Sequence, residues 1–98
     1  MGSQEDREIR EHAQSLMQTG QLADAERLLS EHAAKRKSDH EALALLAQIA
    51  LMQRDFSRAE SLLMRALRGD RKRADYHALL AEMLTTSGRH REAIARYD

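Results

Sequence analysis

The stretch Arg54–Leu67, "RDFSRAESLLMRAL", has a near copy at Gly88–Asp98, "GRHREAIARYD". Aligning Ala59 with Ala93 gives a separation of 34 residues, and a further step of 34 back lands on Ala25 in "GQLADAERLL". The flanks agree as well. Gly20, Arg54 and Gly88 stand five residues before these alanines, and Leu22, Phe56 and His90 stand three before. Upstream, Ala13, Ala47 and Ala81 share one register, and Leu16, Ala50 and Leu84 share another. A fixed period without insertions is the signature of stacked structural repeats.

Each period contains two helical patterns. Leu43, Leu46, Ala47 and Ala50 fall at i, i+3, i+4 and i+7, the spacing of one helix face. Ser38 with Glu41 has the form of a capping box at its start. After Gln53-Arg54, Asp55 is placed to cap a second helix, with Phe56, Ala59, Leu62, Leu63, Ala66 and Leu67 on its inner side and Gly69 as its terminator. The same reading gives helices near 6–18 and 22–35 in the first unit. In the third they fall near 74–87 and from about residue 90 onward. A lone pair of such helices cannot cover its own apolar stripe, so neighbours must stack. The recurrent alanines let the helix axes approach closely, which makes them structural.

Composition agrees. Of the 98 residues, 42% are apolar and 33% charged, with no proline, no cysteine and no tryptophan. The Ala, Leu, Arg and Glu content favours helix over sheet. The lack of cysteine excludes a disulfide framework and a thiol nucleophile. No run approaches the roughly 18 apolar residues of a membrane span. Met1-Gly2-Ser3 resembles a cloning remnant more than a signal peptide, so residues 1–5 are expected to be a disordered start and the native start to be missing. The compartment stays open, the cytoplasm favoured over the periplasm, and the alanine, leucine and arginine content points to a bacterial source.

Net charge is zero but unevenly spread. Residues 1–34 carry seven acids and three bases (−4), residues 35–73 ten bases and five acids (+5), and residues 74–98 three bases and four acids (−1). A basic middle attracts nucleic acid or an acidic partner. Much of it, however, sits in Lys35-Arg36-Lys37 and Arg71-Lys72-Arg73, which look like solvated connections, so nucleic acid is not the expected partner.

These residues resemble the tetratricopeptide repeat family. The middle unit matches its pattern through Leu43, Leu46-Ala47, Phe56, Ala59, Leu63 and Ala66-Leu67. The third matches through Leu80-Ala81, Leu84, Gly88, Ala93 and Tyr97, and the first through Ile9, Ala13, Leu16, Gly20, Ala25 and Leu29. His12 and His32 stand where leucine and alanine are usual, and Lys37 and Arg71 where proline often closes the unit. The resemblance implies an all-α fold of antiparallel helical hairpins stacked as a right-handed α-solenoid. Its units are 6–39, 40–73 and an incomplete 74–98, forming one domain over 6–98. The chain is therefore expected to be a fragment of a longer protein, its broken third unit leaving Ala78, Leu80, Ala81, Leu84 and Ile94 partly uncovered. A homodimer or a swapped helix would then cover them.

The resemblance also implies a function: a non-catalytic scaffold that binds a protein or peptide in the concave groove lined by the first helix of each unit. The groove residues so implied are Arg10, Gln14, Met17, Leu45, Gln48, Met52, Leu79 and Glu82, with Leu45, Met52 and Leu79 as an apolar strip bordered by Gln14, Gln48 and Glu82. Arg7, Glu11, Glu41, Ala44 and Asp75 flank them. Chaperone-binding members clamp a peptide carboxylate. The matching positions here are Arg10, Gln14, Leu45, Asp75 and Leu79, and Asp75 repels a carboxylate, which argues against that ligand. The alternative is an accessory segment of a larger bacterial enzyme or envelope assembly protein, such as a sulfotransferase-linked or pilus-biogenesis factor. Stretches in the style of "YHALLAEMLTTSGRHREAIARY" occur in those proteins.

No cofactor and no metal site is expected. His12, His32, His40, His77 and His90 show no HxxxH or HExxH spacing. His12 and His32 are expected on inner faces, and His77 packed against His90 across unit three. No glycine-rich phosphate loop occurs. Arg68-Gly69-Asp70 spells an adhesion tripeptide but has the form of a helix end.

Overall fold

The computed structural model describes residues 3–89. It contains α1 (Ser3–Gln18), α2 (Leu22–Lys35), α3 (His40–Met52), α4 (Phe56–Gly69) and α5 (Ala74–Thr86). Among the described residues there is no strand, and the helices pack as successive antiparallel hairpins, the all-α repeat array that the period implies. Among the described residues, no helix is long and apolar enough to cross a membrane. The second helix expected in unit three, with His90, Ala93, Ile94 and Tyr97, lies outside the described residues. α1 begins at Ser3, so the start expected to be disordered is helical from that residue. Its first turn carries Glu5 and Asp6, acids that suit the positive end of the helix dipole.

The period is physical. Ala13, Ala47, Ala81, Ala25 and Ala59 are all wholly buried, as are Leu29 and Leu63 one turn further along the second helices. The turns repeat just as closely. Gly20, Arg54 and Gly88 have φ of +80°, +61° and +88°, the left-handed conformation that ends each first helix. In unit two the Arg54 N–H donates to Leu51 O (3.0 Å) and the Asp55 N–H to Ala50 O (2.8 Å). These are the two bonds of a Schellman motif. The same pair recurs at Gly20 and Gln21, and at Gly88 and Arg89.

Capping is best in the middle unit. Asp55 Oδ1 accepts from the Arg58 N–H (3.3 Å), as the sequence implies. At the start of α3, Asp39 rather than Ser38 is the cap, its Oδ1 accepting from the Ala42 N–H (3.2 Å). Asp39 prevails because its second oxygen is fixed by two buried partners described below. Glu41 does not close a capping box but faces Arg10, 3.9 Å away.

α3 is the centre of the array. Every residue from Ala42 to Ala47 is buried, and so are Ile49 and Ala50, because helices cover it on nearly every side. At the far end, Leu80, Ala81 and Leu84 are 1%, 0% and 2% exposed. That corrects the expectation that these three are left uncovered; Ile94, the other large apolar member of the group, lies outside the described residues. Ala78 alone of the described members of that group is exposed.

Candidate functional site

The first helices of the three units, α1, α3 and α5, line a groove of about 330 Å³. Arg7, Arg10, Glu11 and Gln14 come from α1, and Glu41, Ala44, Leu45 and Gln48 from α3. Arg73, Asp75 and Tyr76 close it at the start of α5. Of the residues implied by the sequence, the structure therefore brings together Arg10, Gln14, Leu45 and Gln48. Met17, Met52, Leu79 and Glu82 do not line this cavity.

Nor do Leu45, Met52 and Leu79 make a continuous apolar strip. Leu45 is 7% exposed and belongs to the core, and Leu79 packs half-buried against that core. Met52 is 57% exposed, away from the groove lining. The groove is instead polar and charge-balanced, with Arg7, Arg10 and Arg73 facing Glu11, Glu41 and Asp75. Arg73 and Tyr76 are the residues that sequence reasoning missed. Arg73 was placed in a solvated connection, yet it forks onto Asp75 (Nε–Oδ1 2.8 Å, Nη2–Oδ2 2.9 Å) and lies 4.4 Å over the Tyr76 ring. The adjacency of a base, an acid and a ring across a helix start was the available signal.

Two of the charged groups are already committed. Arg10 Nη1 donates to Asp39 Oδ2 (2.7 Å), and Arg73 holds the Asp75 carboxyl below the usual carboxylate range. Neither suits the carboxylate clamp of the chaperone-binding pattern. Gln14 and Gln48, exposed and one period apart, make no side-chain hydrogen bond, and neither Arg7 nor Glu11 makes an ion pair, among the described residues. These are the groups left to meet a ligand.

Beside the groove lies a buried charge network. His32, 5% exposed, places Nε2 2.7 Å from Asp39 Oδ2 and 3.6 Å from Asp6 Oδ1. Arg36 Nε stands 3.5 Å from the same Asp6 oxygen. Burial pushes the Asp39 carboxyl up, but hydrogen bonds from His32, Arg10 and the Ala42 N–H together hold it below its ordinary value. One potential ligand atom from each of Asp6, His32 and Asp39 lies within 4.8 Å of the others. Arg10 and Arg36 supply the positive charge a metal ion would bring, so the cluster is satisfied as it stands. His32 is thus inward as expected, whereas His12 is exposed, a correction to its inner-face assignment. His77 Nε2 lies 2.7 Å from Arg71 O, and its expected partner His90 is outside the described residues.

The joint between units two and three is built around a pair of rings. His40 Nδ1 and the Tyr76 hydroxyl are hydrogen-bonded at 2.7 Å, their rings edge to face at 5.7 Å. Burial pushes the Tyr76 phenol up to about 12.

The tetratricopeptide repeat model matches residues 16–83, more than two thirds of the chain. The chain belongs to the tetratricopeptide repeat family. Solved structures of tetratricopeptide repeat arrays agree with its fold. MamA aligns with a TM-score of 0.85 at 23% identity, covering 94% of this chain and 54% of MamA. An O-GlcNAc transferase mutant from Thermobaculum terrenum aligns at 0.90 and 25% identity, covering 98% of this chain and 18% of the transferase. The Yersinia enterocolitica type III secretion translocator chaperone SycD aligns at 0.88 and 18% identity, covering 98% of this chain and 66% of SycD. The chain therefore spans about half of MamA and less than a fifth of the transferase. No curated protein matches it in sequence.

Proposed function

We propose that this tetratricopeptide repeat array is a protein-interaction scaffold, without catalysis of its own, that receives a peptide across α1, α3 and α5. The observation that carries this reading is the groove itself: an open volume of about 330 Å³ with Gln14 and Gln48 unengaged one period apart. Each amide offers a donor pair and an acceptor, which suits the backbone of an extended peptide. Of the charged lining residues, Arg7 and Glu11 form no ion pair among the described residues, which favours a segment carrying both signs of charge over a purely acidic tail. The likeness to a translocator chaperone supports the reading at the level of fold.

The test begins with short displayed peptides selected against the whole chain. Their affinities are then measured for the doubly substituted Arg7→Glu, Gln48→Ala protein, with helicity checked by circular dichroism. The expected loss is about tenfold or more, equivalent to about 1.4 kcal/mol. Selected peptides that all bind the variant as tightly as the parent would sink the groove assignment.

A second reading, an accessory repeat segment of a larger enzyme or assembly protein, is supported by the transferase alignment, in which the whole array matches 18% of a longer chain. Sequencing the coding region past Asp98 decides it. A catalytic domain there favours this second reading, and further repeats favour the first.

A further inference from the structure

The basic excess of residues 35–73 is gathered in space rather than scattered. Two cavities of about 370 and 410 Å³ run along α2, α4 and the connection between α2 and α3. They share Lys37, Leu43 and Arg65, and so form one cleft. No residue of the α1–α3–α5 groove lines it.

The rim is cationic and unneutralised. Lys37, Arg65 and Arg68 are exposed and form no ion pair among the described residues. Arg58, the fourth cation, is held by Glu26. No carboxylate lines either cavity, whereas the α1–α3–α5 groove has as many acids as bases. Around the cations, the hydroxyls of Ser30, Ser38 and Ser61 make no hydrogen bond among the described residues. The floor is aliphatic, from Leu43, Leu46 and Leu62.

An anion placed in this cleft gains from Lys37, Arg65 and Arg68 at once, with a fixed acid competing only at Arg58. The floor decides what kind of anion. Binding to single-stranded nucleic acid relies on aromatic platforms for the bases, and no Phe, Tyr or Trp lines the cleft. The one ring there, His40, has its Nδ1 engaged by Tyr76. Aliphatic floor and cationic rim together match a peptide that carries both carboxylates and apolar side chains.

We propose that this cleft is a second docking surface, separate from the groove, for an acidic protein segment whose carboxylates meet Lys37, Arg65 and Arg68 while its apolar side chains rest on Leu43 and Leu62.

The whole chain is titrated by fluorescence anisotropy with a labelled peptide of alternating Glu and Leu, with its Gln counterpart, and with a labelled single-stranded oligonucleotide. The Glu peptide is expected to bind, and its affinity to fall steeply as salt rises. The Gln peptide and the Lys37→Glu, Arg65→Glu, Arg68→Glu variant are each expected to lower affinity about tenfold or more, while Arg7→Glu in the groove leaves it within about twofold. A helical triple variant that binds as the parent does overturns the proposal, and so does tighter binding of the oligonucleotide than of the Glu peptide. Should the triple variant lose helicity, Arg65→Gln alone is read instead. A loss of about threefold supports the cleft, and none overturns it.

Discussion

His32 on α2 and Asp39 at the head of α3 meet at 2.7 Å through Nε2 and Oδ2, their side chains only 4% and 6% exposed. The same carboxylate oxygen takes Arg10 from α1 at 2.7 Å, while the other oxygen caps α3. One side chain therefore ties together the first three helices. Asp39→Ala removes the cap and leaves a buried imidazole and a largely buried guanidinium without their acceptor, at an expected cost of about 3 kcal/mol. Asp39→Asn keeps the cap but loses the charge and is expected to cost about 1–2 kcal/mol. Urea unfolding followed by circular dichroism measures both.

Acid should act through the same residue. The folded Asp39 carboxyl binds its proton less tightly than in the unfolded chain, since the hydrogen bonds from His32, Arg10 and Ala42 outweigh the effect of burial. Its contribution to stability is therefore complete above the unfolded value, about pH 4, and is lost as pH falls through the lower folded value. Thermal midpoints recorded from neutral pH downward should drop in that range. The drop should be shallower in Asp39→Asn, and equal slopes in the two proteins would remove Asp39 as the cause.

Arg54 holds, with a φ of +61°, the left-handed position that Gly20 and Gly88 hold in the neighbouring units. A residue with a Cβ there costs about 1–2 kcal/mol in backbone strain. Arg54→Gly relieves that strain but gives up the stacking of the guanidinium over Phe56, 5.1 Å from the ring centre. That stacking contributes about 0.5–1 kcal/mol at an exposed site, so a net gain of about 0.5 kcal/mol is expected. Gly20→Ala isolates the backbone effect, because a Cβ there meets nothing within 4 Å. It should destabilise by about 1 kcal/mol, read as a lower thermal midpoint.

Gly69 is the last residue of α4, and a Cβ added there would stand 2.8 Å from His40 Cβ and 2.9 Å from His40 Cδ2. His40 cannot swing away without giving up the Tyr76 hydroxyl. Gly69→Ala is therefore expected to cost about 2 kcal/mol by overpacking, against the usual helix preference for alanine. In a Tyr76→Phe background the ring can turn away and relieve the Cδ2 contact while the backbone-fixed Cβ contact stays, so the same substitution should cost somewhat less but not become neutral. A double-mutant cycle measures the difference.

Ala59 is wholly buried where α4 packs into the array. Ala59→Leu should cost about 1–3 kcal/mol, because a close-packed seam has no room for three further carbons. Denaturant unfolding that shows no loss would mean the seam is looser than the buried alanines indicate.

The repeat was legible in the sequence because its seams need small residues at fixed intervals. Ala13, Ala47 and Ala81 announce themselves by spacing alone, as do the turn positions Gly20, Arg54 and Gly88. The groove was half legible. Arg10, Gln14, Leu45 and Gln48 line it, but Leu45 does so from inside the core. Period counting assumes an outer face, and α3, apolar from Ala42 to Ala47 without a break, has almost none. That unbroken run was the signal to weigh. The link from His32 to Asp39 spans a loop, and no spacing rule brings them together. Ser38 looked the better cap because nothing in the sequence shows that a neighbouring carboxylate already has buried partners.

The two seams of this array are fastened by different chemistry. The His40–Tyr76 seam is closed by a hydrogen bond and an edge-to-face ring contact, neither of which involves a carboxylate. The Asp39 seam rests on a carboxylate: once it takes up a proton, the bond to Arg10 gives up its charge. Strong acid, below about pH 4, should thus unfasten the leading hairpin first, a directional fraying built in by one aspartate.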